Sequence, residues 1–174
     1  MSTTQDPHAG PYQGLIEWLE RGSIAHEVHE HAPTFTARQT ARAEGVEPST
    51  FAKVVGVLTG EGKQVLVVLD ATDHLDLRKA RRVLEAGHVR LLTEAELGAL
   101  TPGCEVGAVP AAGALYGLPM YADHAVRDDP RISFKAGSHR YTVRVDRAAW
   151  ERASAVVYAD LAEDSDRRPA WSRS

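Results

Sequence analysis

Residues 53–70, which read KVVGVLTGEGKQVLVVLD, decide the fold. Two apolar runs, Val54–Thr59 and Gln64–Asp70, flank the polar tetrapeptide GEGK at residues 60–63. A short glycine-containing segment between two runs rich in β-branched residues is typical of a β-hairpin. We therefore predict that these runs form two adjacent antiparallel strands, the first of which is central in the sheet.

Short helices and strands are predicted on both sides of this hairpin. The helices are residues 12–21, a segment from the Thr36 cap to Gly45, a segment from Thr72 or Asp73 to Ala86, residues 94–100, and a segment from the Asp146 cap to Arg152. The further strands are residues 24–31, 88–92, 118–123, 132–135 and 141–145. Thr36 with Gln39, and Thr93 with Glu96, have capping-box spacing. This alternation predicts an α+β domain with a mixed, largely antiparallel sheet.

The patterned part of the chain, residues 11–162, is short enough for one domain. Residues 1–10 and 163–174 lack periodicity and are predicted to be flexible. The chain is 43% hydrophobic and 25% charged, and no run approaches the ~20 apolar residues of a membrane span. The N-terminus does not resemble a secretory signal, and a lone cysteine, Cys104, suits a reducing compartment. We expect a cytoplasmic protein without a membrane partner.

The net charge of −4 argues against a protein that coats nucleic acid without discrimination. Two segments are nevertheless basic, because residues 78–90 and 131–147 each carry five cations against one carboxylate. Such runs are usually solvated faces of the protein. Their presence in an acidic protein also favours a polyanionic ligand, and the sequence leaves both interpretations open.

Lys53 is the most informative charged residue, because it directly precedes the apolar run of a predicted central strand. One interpretation is that the lysine only ends the strand. The other is that rigid backbone holds its ammonium beside a pocket, where it meets a phosphate or a developing oxyanion.

Two further segments are candidates for substrate contacts. Residues 104–113 contain Gly107 and Pro110, and a loop of this kind can aim its amides at a substrate carbonyl. Residues 136–139 include Ser138 and His139 in a predicted turn. These two side chains either bind substrate or merely build the turn.

Other chemistries are disfavoured by the residue pattern. His26, His29 and His31 lie close in sequence, but on a strand His26 faces away from the other two and no nearby ligand completes a zinc site. Cys104 has no local histidine partner and is interpreted as a small buried hydrophobe. Neither a nucleophile elbow nor a phosphate-binding loop is present. We therefore expect no metal and no cofactor.

Seven short motifs occur in an order that resembles one family. They are His31-Ala32-Pro33 with Thr36-Ala37, Ala52-Lys53-Val54-Val55, Leu75-Asp76-Leu77-Arg78-Lys79, Val89-Arg90-Leu91, residues 104–110 (CEVGAVP), Met120-Tyr121-Ala122-Asp123, and residues 132–139 (ISFKAGSH). From about residue 12 to residue 160 the chain resembles the YbaK/prolyl-tRNA synthetase-associated domain family.

This resemblance implies a curved, barrel-like mixed sheet flanked by helices, and an enzyme that hydrolyses wrongly charged aminoacyl-tRNA. Lys53 and the amide of Gly107 are the implied catalytic groups, and no side-chain nucleophile is needed. The expected substrate-binding residues are His31, Thr36, Val109, Pro110, Ala111, Gly137, Ser138 and His139. Arg140 and Arg144 are the expected tRNA contacts. The implied partners are tRNA and, as a further candidate, an aminoacyl-tRNA synthetase.

One departure from the family pattern concerns the loop that follows Gly107. Ala111 and Ala112 stand where the closest family variants carry a second proline and an aromatic residue. We expect this change to widen or loosen the amino-acid pocket. Three functions stay open: a trans-acting deacylase, a non-catalytic module that binds the tRNA end or the aminoacyl group, and a hydrolase of another small ester.

Overall fold

The computed structural model describes residues 10–164, which form two β-sheets and six α-helices. The helices are α1 (Gln13–Arg21), α2 (Ala37–Glu44), α3 (Leu77–Val83), α4 (Glu94–Leu100), α5 (His124–Arg127) and α6 (Arg147–Ser154). The strands are β1 (His26–Glu30), β2 (Ala52–Thr59), β3 (Gln64–Asp70), β4 (Val89–Leu91), β5 (Met120–Asp123), β6 (Arg131–Lys135), β7 (Tyr141–Asp146) and β8 (Val157–Ala159). The termini predicted to be flexible lie outside the described residues, except for Gly10, Glu163 and Asp164.

The strands form a three-stranded sheet of order β1-β7-β6 and a five-stranded sheet of order β4-β2-β3-β5-β8. Strands β3, β5 and β8 pair in parallel, and the other pairs are antiparallel. The mixed, largely antiparallel α+β architecture is therefore confirmed. Neither sheet closes on itself, and an isolated bridge between Phe51 and Ser133 links them. The expected barrel-like curvature is not confirmed.

The predicted hairpin is confirmed as β2 and β3, paired from Ala52 opposite Asp70 to Leu58 opposite Gln64. Gly62 has φ +91° in the connecting turn, a conformation that favours glycine. Alternate residues of β3 face two different clusters. Leu66 and Val68 pack in the main core between the two sheets, whereas Val65, Val67 and Leu69 pack on the side of α3. The hairpin is therefore covered on both faces, as its continuous apolar runs require.

Two local predictions about helices had different outcomes. Both capping boxes are confirmed, with Thr36 opening α2 and Thr93 opening α4. The predicted start of α3 at Thr72 or Asp73 is wrong, because Asp76 caps this helix by accepting hydrogen bonds from the N–H groups of Arg78 and Lys79.

Helix α5 and strand β8 were not predicted from the sequence. The buried Asp123 organises both, because one carboxylate oxygen accepts from the Ala125 N–H and the other from Leu161 and Ala162. A carboxylate bonded by three backbone amides joins segments that are distant in sequence. Local periodicity contains no signal for such a contact.

Asp70, at the end of β3, is a carboxyl group with only 8% of its surface exposed. Burial, and then the nearby Asp129, Asp73, Asp123 and Asp128, raise its pKa from 3.8 to about 8. A raised native pKa stabilises the fold below the unfolded-state pKa, and this contribution is lost as the pH rises through 8. We expect the unfolding free energy to fall by up to ~1.4 kcal/mol per pH unit within that window.

The substitution Asp70→Asn should flatten this pH dependence and stabilise the protein at pH 8, because the amide carries no charge to desolvate. Urea unfolding of both proteins at several pH values between 5 and 8 measures the two slopes. Glu61→Gln, in the exposed hairpin turn, is the control and should leave the parent slope unchanged. Parallel curves for Asp70→Asn and the parent would contradict the prediction.

Candidate functional site

A cavity of about 260 Å³ lies beside the first half of β2. Strand β4 pairs with residues 57–59 of β2, whereas residues 52–55 pair only with β3 in the described structure. The lining residues are Phe35, Thr36, Ala37, Phe51, Ala52, Lys53, Val54, Val55, Glu94, Gly107, Val109 and Lys135. The cavity thus follows the strand edge that β4 leaves unpaired, with β6 of the other sheet contributing Lys135.

A second cavity of about 120 Å³ adjoins the first and has an apolar floor. Both share Val54, Val55, Glu94, Gly107 and Val109, and the smaller one adds Gly56, Leu91, Leu92 and Leu97. The site therefore has two parts, one containing cations and one made largely of aliphatic side chains. A ligand with a charged end and a small apolar group matches this division.

Lys53 is the second residue of β2 and lies opposite Leu69 in the hairpin register. It is half-buried, and it contributes to the wall of the larger cavity. Because β3 fixes the backbone of this strand, the lysine stem starts from a rigid point. The location agrees with the functional interpretation of Lys53, and its catalytic role stays a prediction.

Gly107 belongs to a tight turn that brings backbone to the junction of the two cavities. The Ala108 N–H donates to the Glu105 carbonyl at 3.0 Å, and Gly107 has φ +83° while Val106 does not have positive φ. These features define a type II turn with glycine at its third position. Gly137 fastens the loop, since its N–H donates to the Ala108 carbonyl and its carbonyl accepts from the Glu105 N–H.

Lys135 and His139 lie behind this turn. Lys135 is only 6% exposed, and its ammonium lies 3.2 Å from the carbonyl oxygens of Thr34 and Phe35 and 3.0 Å from His139 Nδ1. His139 Nε2 is 2.7 Å from the Val106 carbonyl oxygen. Burial lowers the pKa of Lys135 to about 8, although Glu94 and Glu105 act in the opposite direction.

Sequence reasoning missed eight of the residues that line the larger cavity, and three of these, Lys135, Glu94 and Phe35, have charged or aromatic side chains. Lys135 was assigned to a basic run, a strand and a family motif, Glu94 only to the start of a helix, and Phe35 to no predicted feature. Phe35 is 72% exposed and its ring centroid lies 5.2 Å from that of His139. A lysine inside an apolar strand pattern was the one available signal, because burial of lysine is rare.

His31, expected to bind substrate, does not line either cavity. Its side chain is buried on the outer side of the three-stranded sheet, where Nε2 is 3.6 Å from a Glu44 carboxylate oxygen and Nδ1 is 2.7 Å from the Ala32 carbonyl oxygen. Glu44 also accepts a hydrogen bond from Thr142. These contacts tie α2 to the sheet, and a substrate-binding role for His31 stays a prediction.

Gly137 and Ser138, also expected to bind substrate, have structural positions in the turn between β6 and β7. The buried Ser138 hydroxyl accepts from the Arg140 N–H at 3.0 Å. A Cβ on Gly137 would lie 2.6 Å from Tyr12 Cβ, and φ is +79°. These two residues build the turn and do not line either cavity.

Within the loop after Gly107, Val109 lines both cavities, whereas the buried Pro110 and Ala111 line neither. Ala111 is fully buried in the main core, and its carbonyl accepts a hydrogen bond from Trp150 Nε1 at 2.7 Å. Ala111 therefore packs in the core and adds no wall to either cavity, and its expected effect on the pocket stays a prediction.

Several cations of the two basic segments are paired with carboxylates. Lys79 bonds Asp160 and Asp164, Arg90 bonds Glu96, Arg131 bonds Glu27, and Arg147 bonds Glu151. Arg140 is exposed at the turn beside His139, whereas Arg144 is half-buried with its Nε out of solvent. Of the two expected tRNA contacts, Arg140 has the accessibility that phosphate binding requires.

Burial raises the pKa of the Cys104 thiol, whose Sγ lies 2.9 Å from the Tyr116 hydroxyl. A half-buried thiol of this kind is a poor nucleophile. Within residues 10–164 no three His, Cys, Asp or Glu side chains are arranged to hold a metal ion. No helix in this part of the chain is long and apolar enough to cross a membrane.

Comparison with known proteins shows similarity of fold and family. A protein described as a proposed trans-editing enzyme for prolyl-tRNA synthetase is 26% identical, with a TM-score of 0.76 over 93% of this chain and 99% of that chain. A hypothetical protein of known structure is 22% identical, with a TM-score of 0.79 over 87% of this chain and all of its own, and shares the fold. No curated protein sequence matches significantly. The family model of the aminoacyl-tRNA editing domain matches residues 31–153, and the chain belongs to that family.

Proposed function

We propose that this protein is a trans-acting aminoacyl-tRNA deacylase, which hydrolyses the ester between a wrong amino acid and tRNA. The observation that supports this most is the meeting of Lys53, the Gly107 turn and an aliphatic cavity at one unpaired strand edge. An aminoacyl ester presents its carbonyl to the Gly107 amide and to Lys53, and its amino-acid side chain to the aliphatic cavity. The description of the 26%-identical relative supports tRNA as the carrier.

Each part of the site has a role in this proposal. The Gly107 N–H donates to the carbonyl oxygen as negative charge develops on it, and Lys53 stabilises the same charge or the adjacent phosphate. Glu94 lines both cavities, and its carboxylate accepts a hydrogen bond from the α-ammonium group. Water attacks the ester carbon, the bond to the ribose oxygen breaks, and the proton lost by the water passes to that ribose oxygen. As the family resemblance implies, the terminal ribose hydroxyl assists that water.

A panel of mischarged tRNAs, including tRNA specific for proline, tests the proposal. Release of amino acid from at least one member, faster than its spontaneous hydrolysis, is the expected result. Tight binding of charged tRNA without release would favour the non-catalytic module, and neither binding nor release would contradict both functions.

Arg140 provides a test of the tRNA-binding surface. We expect Arg140→Gln to reduce the slope of log affinity against log salt by about one, because one phosphate contact is lost. Hydrolysis of a minimal aminoacyl-adenosine should not change. Arg78→Gln is the matched control, because Arg78 is exposed on α3, which covers the opposite face of the five-stranded sheet. Equal slopes for Arg140→Gln and the parent would place the tRNA elsewhere.

A further inference from the structure

We propose that Lys135 and His139 form a latch that fixes the direction of the Gly107 amide. The inference rests on the proposed function, because it assigns a positioning role at the same site. It starts from the central peptide of the turn, between Val106 and Gly107. In a trans peptide the C=O and N–H groups point in opposite directions, so holding the Val106 carbonyl also aims the Gly107 amide.

This peptide has little intrinsic preference for one direction. Rotating it by about 180° converts a type II turn into a type I turn with little movement of the flanking residues. Glycine at the third position accepts the backbone conformations of both turns. The direction of the amide therefore depends on what the Val106 carbonyl meets.

His139 supplies that partner. Its Nε2 is 2.7 Å from the Val106 carbonyl oxygen. The ring also lies close to Gly107, because a Cβ added to that glycine would be 3.4 Å from the His139 ring. The carbonyl thus points to His139, and the Gly107 N–H points away from it. Within residues 10–164 this N–H donates to no protein acceptor, and Gly107 lines both cavities while His139 lines neither. The amide is thereby available to a substrate oxygen.

Lys135 determines which ring nitrogen of His139 carries the proton. Nδ1 lies 3.0 Å from both the Lys135 ammonium and the Thr34 carbonyl oxygen. The ammonium can only donate, so Nδ1 accepts from it and the proton of the neutral ring resides on Nε2. Without the ammonium, Nδ1–H can donate to Thr34, which leaves Nε2 without a proton opposite the Val106 carbonyl. Lys135 therefore selects the tautomer that holds the turn.

Two substitutions of similar polarity separate the latch from simple packing. His139→Gln keeps a donor near the Nε2 position, whereas His139→Asn places its amide near Nδ1 and lacks that donor. We expect kcat on a mischarged tRNA to fall at least ~10-fold in His139→Asn and to stay within ~3-fold in His139→Gln. KM should be unchanged in both, because the amide acts on the transition state. His88→Phe, on the exposed surface, is the control for loss of a histidine. Equal kcat values for the Asn and Gln variants would overturn the latch.

Nuclear magnetic resonance tests the latch without relying on turnover. The ring nitrogen shifts of His139 should report the Nε2–H tautomer in the parent, and the Nδ1–H tautomer in Lys135→Met. The Gly107 amide resonance should move in His139→Asn and stay near its parent position in His139→Gln. A parent ring with Nδ1–H would overturn the proposal even if the protein is an active deacylase. If no charged tRNA is hydrolysed, the proposed function fails and these spectra still decide whether the latch exists.

Discussion

Replacing Gly107 with alanine is expected to lower kcat on mischarged tRNA by about 100-fold, the usual effect of losing one oxyanion-hole donor. The reason is conformational, because φ is +83° at this position. A Cβ there would meet His139 Cε1 at 3.4 Å and a Glu94 oxygen at 3.5 Å, which are ordinary contacts. The alanine is therefore accommodated sterically but strained, and rotating the Val106–Gly107 peptide to a type I turn relieves the strain. That rotation removes the amide from the cavity.

Gly62→Ala is the matched control for this strain. Gly62 has φ +91° in the turn between β2 and β3, and a Cβ there has no atom within 4 Å. Both substitutions should reduce the unfolding free energy by about 1–2 kcal/mol. Only Gly107→Ala should reduce the deacylation rate. Equal rates for Gly107→Ala and Gly62→Ala would show that the Gly107 amide does not contact the reacting carbonyl.

Replacing Lys53 with alanine is expected to lower deacylation by at least ~10-fold, which corresponds to about 1.4 kcal/mol of barrier. The half-buried Lys53 lines the cavity on a strand fixed by β3, so we expect its charge to act on the ester without reorganisation. The fold should be retained, because alanine continues the strand. Circular dichroism and single-turnover hydrolysis of the same mischarged tRNA measure the two properties.

Lys63→Ala removes a lysine from the exposed hairpin turn and has the same effect on net charge. It should hydrolyse the substrate at the parent rate. If Lys53→Ala does so as well, Lys53 only ends the strand, as the sequence alone also allowed. A slow Lys53→Ala protein whose circular dichroism also changes would instead indicate that the lysine supports the fold.

The sequence predicted those features that adjacent residues determine. The hairpin follows from two β-branched runs and a short polar turn, and the helix caps follow from hydroxyl and carboxamide side chains three residues apart. Lys53, Gly107, Thr36 and Val109 were predicted for the site and do line the cavity. Their order along the chain, matched to a family, carried that prediction, and a single motif would not have sufficed.

Tertiary structure alone decided which residues surround the cavity. Lys135 reaches the cavity because β6 lies beside the edge of β2 that β4 leaves unpaired. Ala111 packs in the core instead, where its carbonyl accepts a hydrogen bond from Trp150. His31 contacts Glu44 of α2, and Ser138 accepts a hydrogen bond within the turn between β6 and β7. Such contacts join residues far apart in sequence, and their energies depend on burial and on the partner groups available. Sequence patterning therefore determined the hairpin, the helix caps and the order of the family motifs along the chain. Packing between the two sheets determined which residues line the cavity.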